Sequence, residues 1–266
     1  MAPVVGFIGT GNMGAAIIRG LSPLGKADLL GFDLNAAKLA ELAAETGMAV
    51  AKSPLDVATG ADYVVLCVKP QHMREVLDSL RPALAKGKCL VSIAAGITME
   101  KLAAWSGGRC PVVRIMPNTP ALVGAGSYAV CLDDPKLAQA QKDLVLELFS
   151  AIGKTFPLPE KDFDAFTALS GSGPAYVMYF MEALIESGVY VGLSRGLSTD
   201  VVLELLRGSV KMALESGQHV SLLREMVTSP AGTTIEALLH LDRSAVRAAV
   251  IEAVAMARDR SIELGR

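Results

Sequence analysis

A chain of 266 residues, 52% hydrophobic but only 5% aromatic, carries enough apolar material for one large or two ordinary domains without disulfides. Its net charge of −2 implies no basic face, which argues against nucleic acid and anionic membrane as partners. Four cysteines with no CxxC pair and three scattered histidines show no metal-ligand spacing, so no metal is expected.

In chain order, Met1-Ala2-Pro3 lacks the basic region and cleavage site of a signal peptide, and the expected location is cytoplasmic. Short β-branched runs then recur: Val4–Gly9, Leu29–Asp33, Tyr63–Lys69, Cys89–Ala94, Val112–Met116 and Ser127–Cys131. Amphipathic stretches such as Ala36–Thr46, His72–Leu84 and Pro135–Ala151 lie between them. Alternation of this kind predicts an α/β domain with a mostly parallel sheet covered on both faces. Cys67, Cys89, Cys110 and Cys131 sit in apolar runs and read as buried free thiols of a reducing cytosol. The uncharged stretches 115–132 and 165–181 approach membrane-span length. The first is broken by Pro117 and Pro120, the second by Gly171-Ser172-Gly173-Pro174, so both read as buried core.

From Glu160 onward strand signals vanish. Helical patterns fill roughly 161–191, 198–216, 219–227, 233–241 and 242–264, with Pro157 and Pro159 at the join. The expected domains are therefore 1–159, α/β, and 160–266, all-α. Ala175–Met181 is apolar on every helical face. Such a helix must be buried all round, either at the centre of a monomeric bundle or, the favoured reading, against a second subunit.

Two segments carry chemistry. Between the first strand and a helix beginning near Ala15 stands Gly9-Thr10-Gly11-Asn12-Met13-Gly14, a GxGxxG in the context a Rossmann-type dinucleotide site requires. Gly9 permits a tight turn, Gly11 lets a pyrophosphate approach the backbone, and Gly14 lets the helix pack on the strand. Asp33 lies 19 residues after Gly14, where an acid grips the ribose 2′-OH of NAD and repels a 2′-phosphate. One unit-charge repulsion at about 4 Å is worth on the order of 1–4 kcal/mol, unless Lys38 or Lys52 compensates. NADPH and NADH both stay open. Cys67-Val68-Lys69-Pro70, Ala94-Ala95-Gly96 and Met116-Pro117-Asn118-Thr119-Pro120 follow later strands, on the edge where open α/β sheets bind ligands. Lys69 reads equally as a surface lysine and as a cofactor contact.

The second segment is Thr228-Ser229-Pro230-Ala231-Gly232-Thr233-Thr234-Ile235-Glu236. Thr233 and Glu236 have capping-box spacing ahead of an apolar helix. Taken alone it reads first as an ordinary capped helix, and second as a site where backbone N–H groups and hydroxyls hold a small carboxylate.

Together with Val68-Lys69-Pro70, Ile93–Thr98, Met116–Pro120, Ser170–Tyr176 and Met226–Ala237, the chain from Val4 to about Glu263 resembles the pyrroline-5-carboxylate reductases. The resemblance implies reduction of the cyclic imine 1-pyrroline-5-carboxylate to L-proline by NADPH or NADH. It implies a homodimer through the helical domain, assembled further into a decameric ring. It gives Thr234 the contact to the imine nitrogen, and Ser229, Gly232 and Thr233 the substrate carboxylate. It places Glu160 near the ring nitrogen. It implies cofactor contacts at Gly9, Thr10, Gly11, Asn12, Met13, Gly14, Val68, Lys69, Pro70, Ala95, Gly96 and Asn118. Asp33 departs from it, since many members place a small or neutral residue there and prefer NADPH. A β-hydroxyacid or 6-phosphogluconate-type dehydrogenase is the rival, but such enzymes need a lysine soon after a glycine-rich second-domain loop. Here none follows Gly171–Pro174 before Lys211. A non-catalytic dinucleotide sensor is the other rival.

Overall fold

A computed structural model describes residues 2–265; Met1 and Arg266, the outer ends of the two expected domains, lie outside them. The elements are β1 (Val4–Ile8), α1 (Asn12–Leu21), β2 (Asp28–Phe32), α2 (Ala36–Thr46), β3 (Ala49–Val50), α3 (Pro54–Gly60), β4 (Tyr63–Leu66), α4 (Met73–Leu80), β5 (Cys89–Ser92), α5 (Met99–Trp105), β6 (Val112–Met116), β7 (Gly126–Cys131), α6 (Gln139–Ser150) and β8 (Gly153–Pro157). Helices follow: α7 (Phe163–Phe166), α8 (Gly173–Tyr190), α9 (Arg195–Ser216), α10 (Val220–Met226), α11 (Thr233–Arg243) and α12 (Val246–Gly265).

The strands form one sheet in the order β3-β2-β1-β4-β5-β6-β7-β8. Every neighbouring pair is parallel except β6 and β7. Side chains alternate across the sheet, and each face buries its own cluster. Phe7, Val65, Val91 and Ile115 pack with Ile17 and Ile18 of α1, Leu39 of α2 and Phe149 of α6. Ile8, Leu66, Leu90 and Val112 pack with Val57 of α3, Leu77 of α4 and Leu102 of α5. The α/β expectation holds, as does that of buried free thiols, although Cys67 is only half-buried.

Two strands escaped the sequence pattern. β3 is a two-residue edge with no room to show alternation. β8 ends on Pro157, which a sheet accepts here because β8 pairs only with β7. The expected helix over 161–191 is not continuous. A short 3₁₀ turn (Glu160–Asp162), α7 and one π-type turn (Thr167–Gly171) precede α8. The Gly171-Ser172-Gly173-Pro174 run resets the helix, and Pro174 falls in its first turn, where a missing N–H is harmless.

The chain forms two compact units. The first holds residues 1–172 together with the last part of α12, from Ala257; the second is the all-α segment Gly173–Met256. Within the first unit the end of α12 is held against α5, where the Lys101 ammonium donates to the Gly265 carbonyl (2.5 Å). Among the described residues no helix is long and apolar enough to cross a membrane.

Candidate functional site

The first unit carries a cavity of about 540 Å³ at the carboxyl ends of β1, β2 and β4. Gly9, Gly11, Asp33, Val68 and Lys69 are among its walls. Gly9 turns the chain off β1 with φ +94, and a Cβ there would strike the Cys67 carbonyl oxygen at 2.8 Å. A Cβ on Gly14 would collide with the Gly9 carbonyl, so α1 packs on the turn only because residue 14 is glycine. Gly11 faces open space and starts α1 without a side-chain cap. The N–H groups of Asn12 and Met13 are thus left for an anion at the positive end of the helix.

The Thr10 hydroxyl in the turn is buried without a hydrogen-bond partner among the described residues, but Thr10 is not on the cavity wall. One observation fits this cavity to a dinucleotide. Asp33, directly after β2, accepts the Thr10 N–H at Oδ2 (2.6 Å) and the Asn35 N–H at Oδ1 (2.8 Å). Burial pushes the Cys67 thiol at the cavity wall upward, so it stays protonated and is no nucleophile.

The remaining sequence-predicted positions scatter along the same strand edge. Lys69 and Pro70 are exposed at the start of the turn before α4. Ala95 is exposed, and a Cβ on Gly96, whose φ is +73, would stand 3.2 Å from the Leu264 carbonyl oxygen of α12. Asn118 is buried. Its side chain donates to Ser170 Oγ (3.2 Å) and accepts from the Ser127 N–H (2.9 Å), so it ties three segments together.

Glu160 receives a structural role. Its Oε1 accepts the Met99 N–H (2.7 Å) at the start of α5 and the Arg114 guanidinium (2.9 Å). Arg114 is 5% exposed and lies over the Phe163 ring, 4.8 Å from its centroid. Sequence reasoning missed Arg114. The available signal was a cation at an inward position of the apolar strand Val112–Met116, which demands a buried partner.

In the second unit, α11 begins one residue earlier than the capping-box reading requires. Gly232 is the N-cap, Thr233 is the first helical residue, and no side chain caps the helix. The expected Thr233–Glu236 box is therefore corrected. The chain enters the helix through Ala231 at φ +54, with the Gly232 N–H donating to the Ser229 carbonyl (3.1 Å). That turn fixes the loop and moves both threonines inside the first helical turn. The N–H groups of Thr233, Thr234 and Ile235 point beyond the helix end with two hydroxyls beside them. Thr234 is half-buried; Ser229 and Thr233 are exposed. Among the described residues no cluster of His, Cys, Asp and Glu has the makings of a metal site.

A doubly covered, mostly parallel sheet with a glycine turn, an acid directly after its second strand and a cavity at its strand ends defines a Rossmann-type dinucleotide-binding oxidoreductase. Residues 4–96 match the family described as NADP oxidoreductase coenzyme F420-dependent, and residues 160–264 that described as pyrroline-5-carboxylate reductase dimerisation. A pyrroline-5-carboxylate reductase of Pseudomonas aeruginosa is 41% identical over 98% of this chain and 97% of its own. The solved structure of one from Coxiella burnetii superposes with TM-score 0.93 at 32% identity, covering 100% of both chains. That of a Plasmodium falciparum pyrroline carboxylate reductase with NADP bound gives 0.90 at 34% identity, covering 99% and 98%. The chain belongs to the pyrroline-5-carboxylate reductase family.

Proposed function

We propose that this chain reduces 1-pyrroline-5-carboxylate to L-proline with a reduced nicotinamide dinucleotide, the last step of proline synthesis. The observation that carries the substrate half is the uncapped start of α11. Its free N–H groups and the Ser229, Gly232 and Thr233 segment suit a small carboxylate, and the helix dipole favours the negative charge. The first cavity supplies the cofactor half. The Gly9–Gly14 turn takes the pyrophosphate, and Val68, Lys69, Pro70, Ala95, Gly96 and Asn118 belong to the same strand-end rim.

When bound, the reduced nicotinamide supplies a hydride to the carbon of the C=N bond. The chain positions the imine for it. Hydride adds fastest when the ring nitrogen is protonated, and Thr234 Oγ1 accepts that N–H and orients it. A threonine hydroxyl is too weak an acid to be the proton's source, so Thr234 orients and does not protonate. Holding the reacting groups in place contributes several kcal/mol of barrier reduction.

The test mixes purified protein, pyrroline-5-carboxylate and NADH or NADPH and follows absorbance of the reduced nicotinamide. Thr234→Ala is expected to lower kcat on the order of tenfold to a hundredfold, the worth of one hydrogen bond to a charged group. Binding of the dinucleotide stays unchanged. No consumption with any cyclic imine would leave a dinucleotide sensor instead, and an unchanged kcat in the variant removes Thr234 from its role.

The working unit is a homodimer formed through the helical segment 160–266, the second expected domain, and a decameric ring of five dimers extends the same reading. Four unpaired thiols suit a reducing cytoplasm.

A further inference from the structure

We propose that Asp33 makes this chain selective for NADH, by holding a fixed carboxylate where the 2′-phosphate of NADPH would lie. The inference rests on the first cavity being the dinucleotide site. Asp33 sits at the carboxyl end of β2, on the cavity wall, the place from which an acid reaches the adenosine ribose. Its two oxygens each accept one backbone N–H, from Thr10 in the glycine turn (2.6 Å) and from Asn35 in the turn into α2 (2.8 Å). The side chain cannot swing aside for a phosphate without breaking both bonds. A carboxylate offers about four acceptor positions, so two remain for the ribose hydroxyls.

Among the described residues no cation is arranged to offset it. Neither Lys38 nor Lys52 lines the cavity; its basic wall residues are Lys69 and His72. Both follow β4, on the far side of β1 from β2, so their backbones stand roughly two strand spacings, about 10 Å, from the Asp33 column. A second acid, Glu75, lines the same cavity. The start of α2 is not open to a phosphate, because Asn35 caps it, its Oδ1 accepting the Lys38 N–H (3.1 Å). The turn itself, Leu34-Asn35-Ala36-Ala37, contains no arginine, lysine, serine or threonine.

The experiment measures NADH and NADPH binding by fluorescence titration without imine, then kcat/KM for each with pyrroline-5-carboxylate. The wild type is expected to bind NADH at least tenfold tighter. Asp33→Ser narrows that ratio at least tenfold, chiefly by tightening NADPH. Asp33→Asn, which keeps the side-chain shape, shifts it in the same direction and guards against a loop that merely collapses. Equal affinities or an NADPH preference in the wild type overturns the inference. So does a variant that weakens both cofactors in equal proportion, since Asp33 would then only brace the two turns. Selective binding without imine turnover would sink the proposed reaction and leave the selectivity standing.

Discussion

At the level of single residues, local backbone demands were the most legible. Gly14 is required by the Gly9 carbonyl five positions away and Gly9 by the positive φ of its own turn, both local needs, whereas the approach of Cys67 to Gly9 comes from the fold. The Thr10 partner of Asp33 and the Glu160 partner of Arg114 were not legible, because they meet only through the fold, whereas Asn35 bonds Asp33 within a local turn. The cysteines were legible as buried thiols, and their burial has a consequence for pH. Desolvation, ahead of neighbouring charges, pushes Cys110 up to about 11 and Cys131 up to about 12. An unfolded thiol titrates near ~8.5. Between those values the folded chain keeps protons the unfolded chain has released, so stability falls as pH rises. The contribution is fully present below about pH 8.5 and is lost as pH climbs toward the folded values, by up to ~1.4 kcal/mol per pH unit per thiol. The urea midpoint, followed by the fluorescence of Trp105, the single tryptophan, should drop between pH 8.5 and 10. Replacing Cys110 and Cys131 by alanine should flatten that slope; the same slope in both proteins contradicts the account.

At the level of elements, long periodic helices and buried strands announced themselves, whereas their ends did not. β8 was hidden because Pro157 reads as a breaker, and only its edge position makes the proline acceptable. α11 was shifted by one residue because the Gly232 turn, with Ala231 at positive φ, outcompeted the Thr233 cap. α5 shows how a cap from afar can matter more than one from nearby. Thr98 accepts the Lys101 N–H (3.2 Å), while Glu160, 61 positions later, accepts the Met99 N–H and pairs with Arg114. Removing the threonine cap should cost about 1 kcal/mol. Glu160→Ala should cost roughly 3 kcal/mol, because it also strands a buried guanidinium. Replacing both Arg114 and Glu160 by methionine should recover most of that loss, since the pair also carries a desolvation penalty. Urea unfolding of the three variants decides it. Equal losses for Thr98→Ala and Glu160→Ala would mean that Arg114 does not depend on Glu160.

For the molecule as a whole, the helices of the second unit were readable one by one, but their burial was not, because within this chain most of their apolar side chains stay exposed. Among the described residues from Gly173 to Met256, only Ser198, Val202 and Leu223 are buried. α8 has no buried residue at all, although the sequence marks it as apolar on every face. Met178 is 61% exposed and Tyr179 71%. Ile251 and Met256 on α12 are exposed as well, and α9 carries an apolar depression of about 650 Å³ lined by Val201, Leu205 and Met212. Its exposed wall is mainly apolar although Asp200, Glu204 and Ser209 belong to it, so it suits a helix of a second copy better than a small molecule. Apolar surface on this scale is unstable in water unless covered, and a stable interface needs roughly 1,200–2,000 Å² of total burial. The family model that spans residues 160–264 is one of dimerisation. Sedimentation velocity at micromolar concentration is therefore expected to show a dimer or a multiple of it. Met178→Glu combined with Phe180→Glu places one charge on each of two roughly opposite apolar faces of α8. It should shift the boundary toward monomer and weaken the rise of melting temperature with protein concentration that the wild type should show, as mass action requires when folding and association are linked. A wild type that sediments as monomer, with melting independent of concentration, would show that the exposed face of α8 needs no second copy.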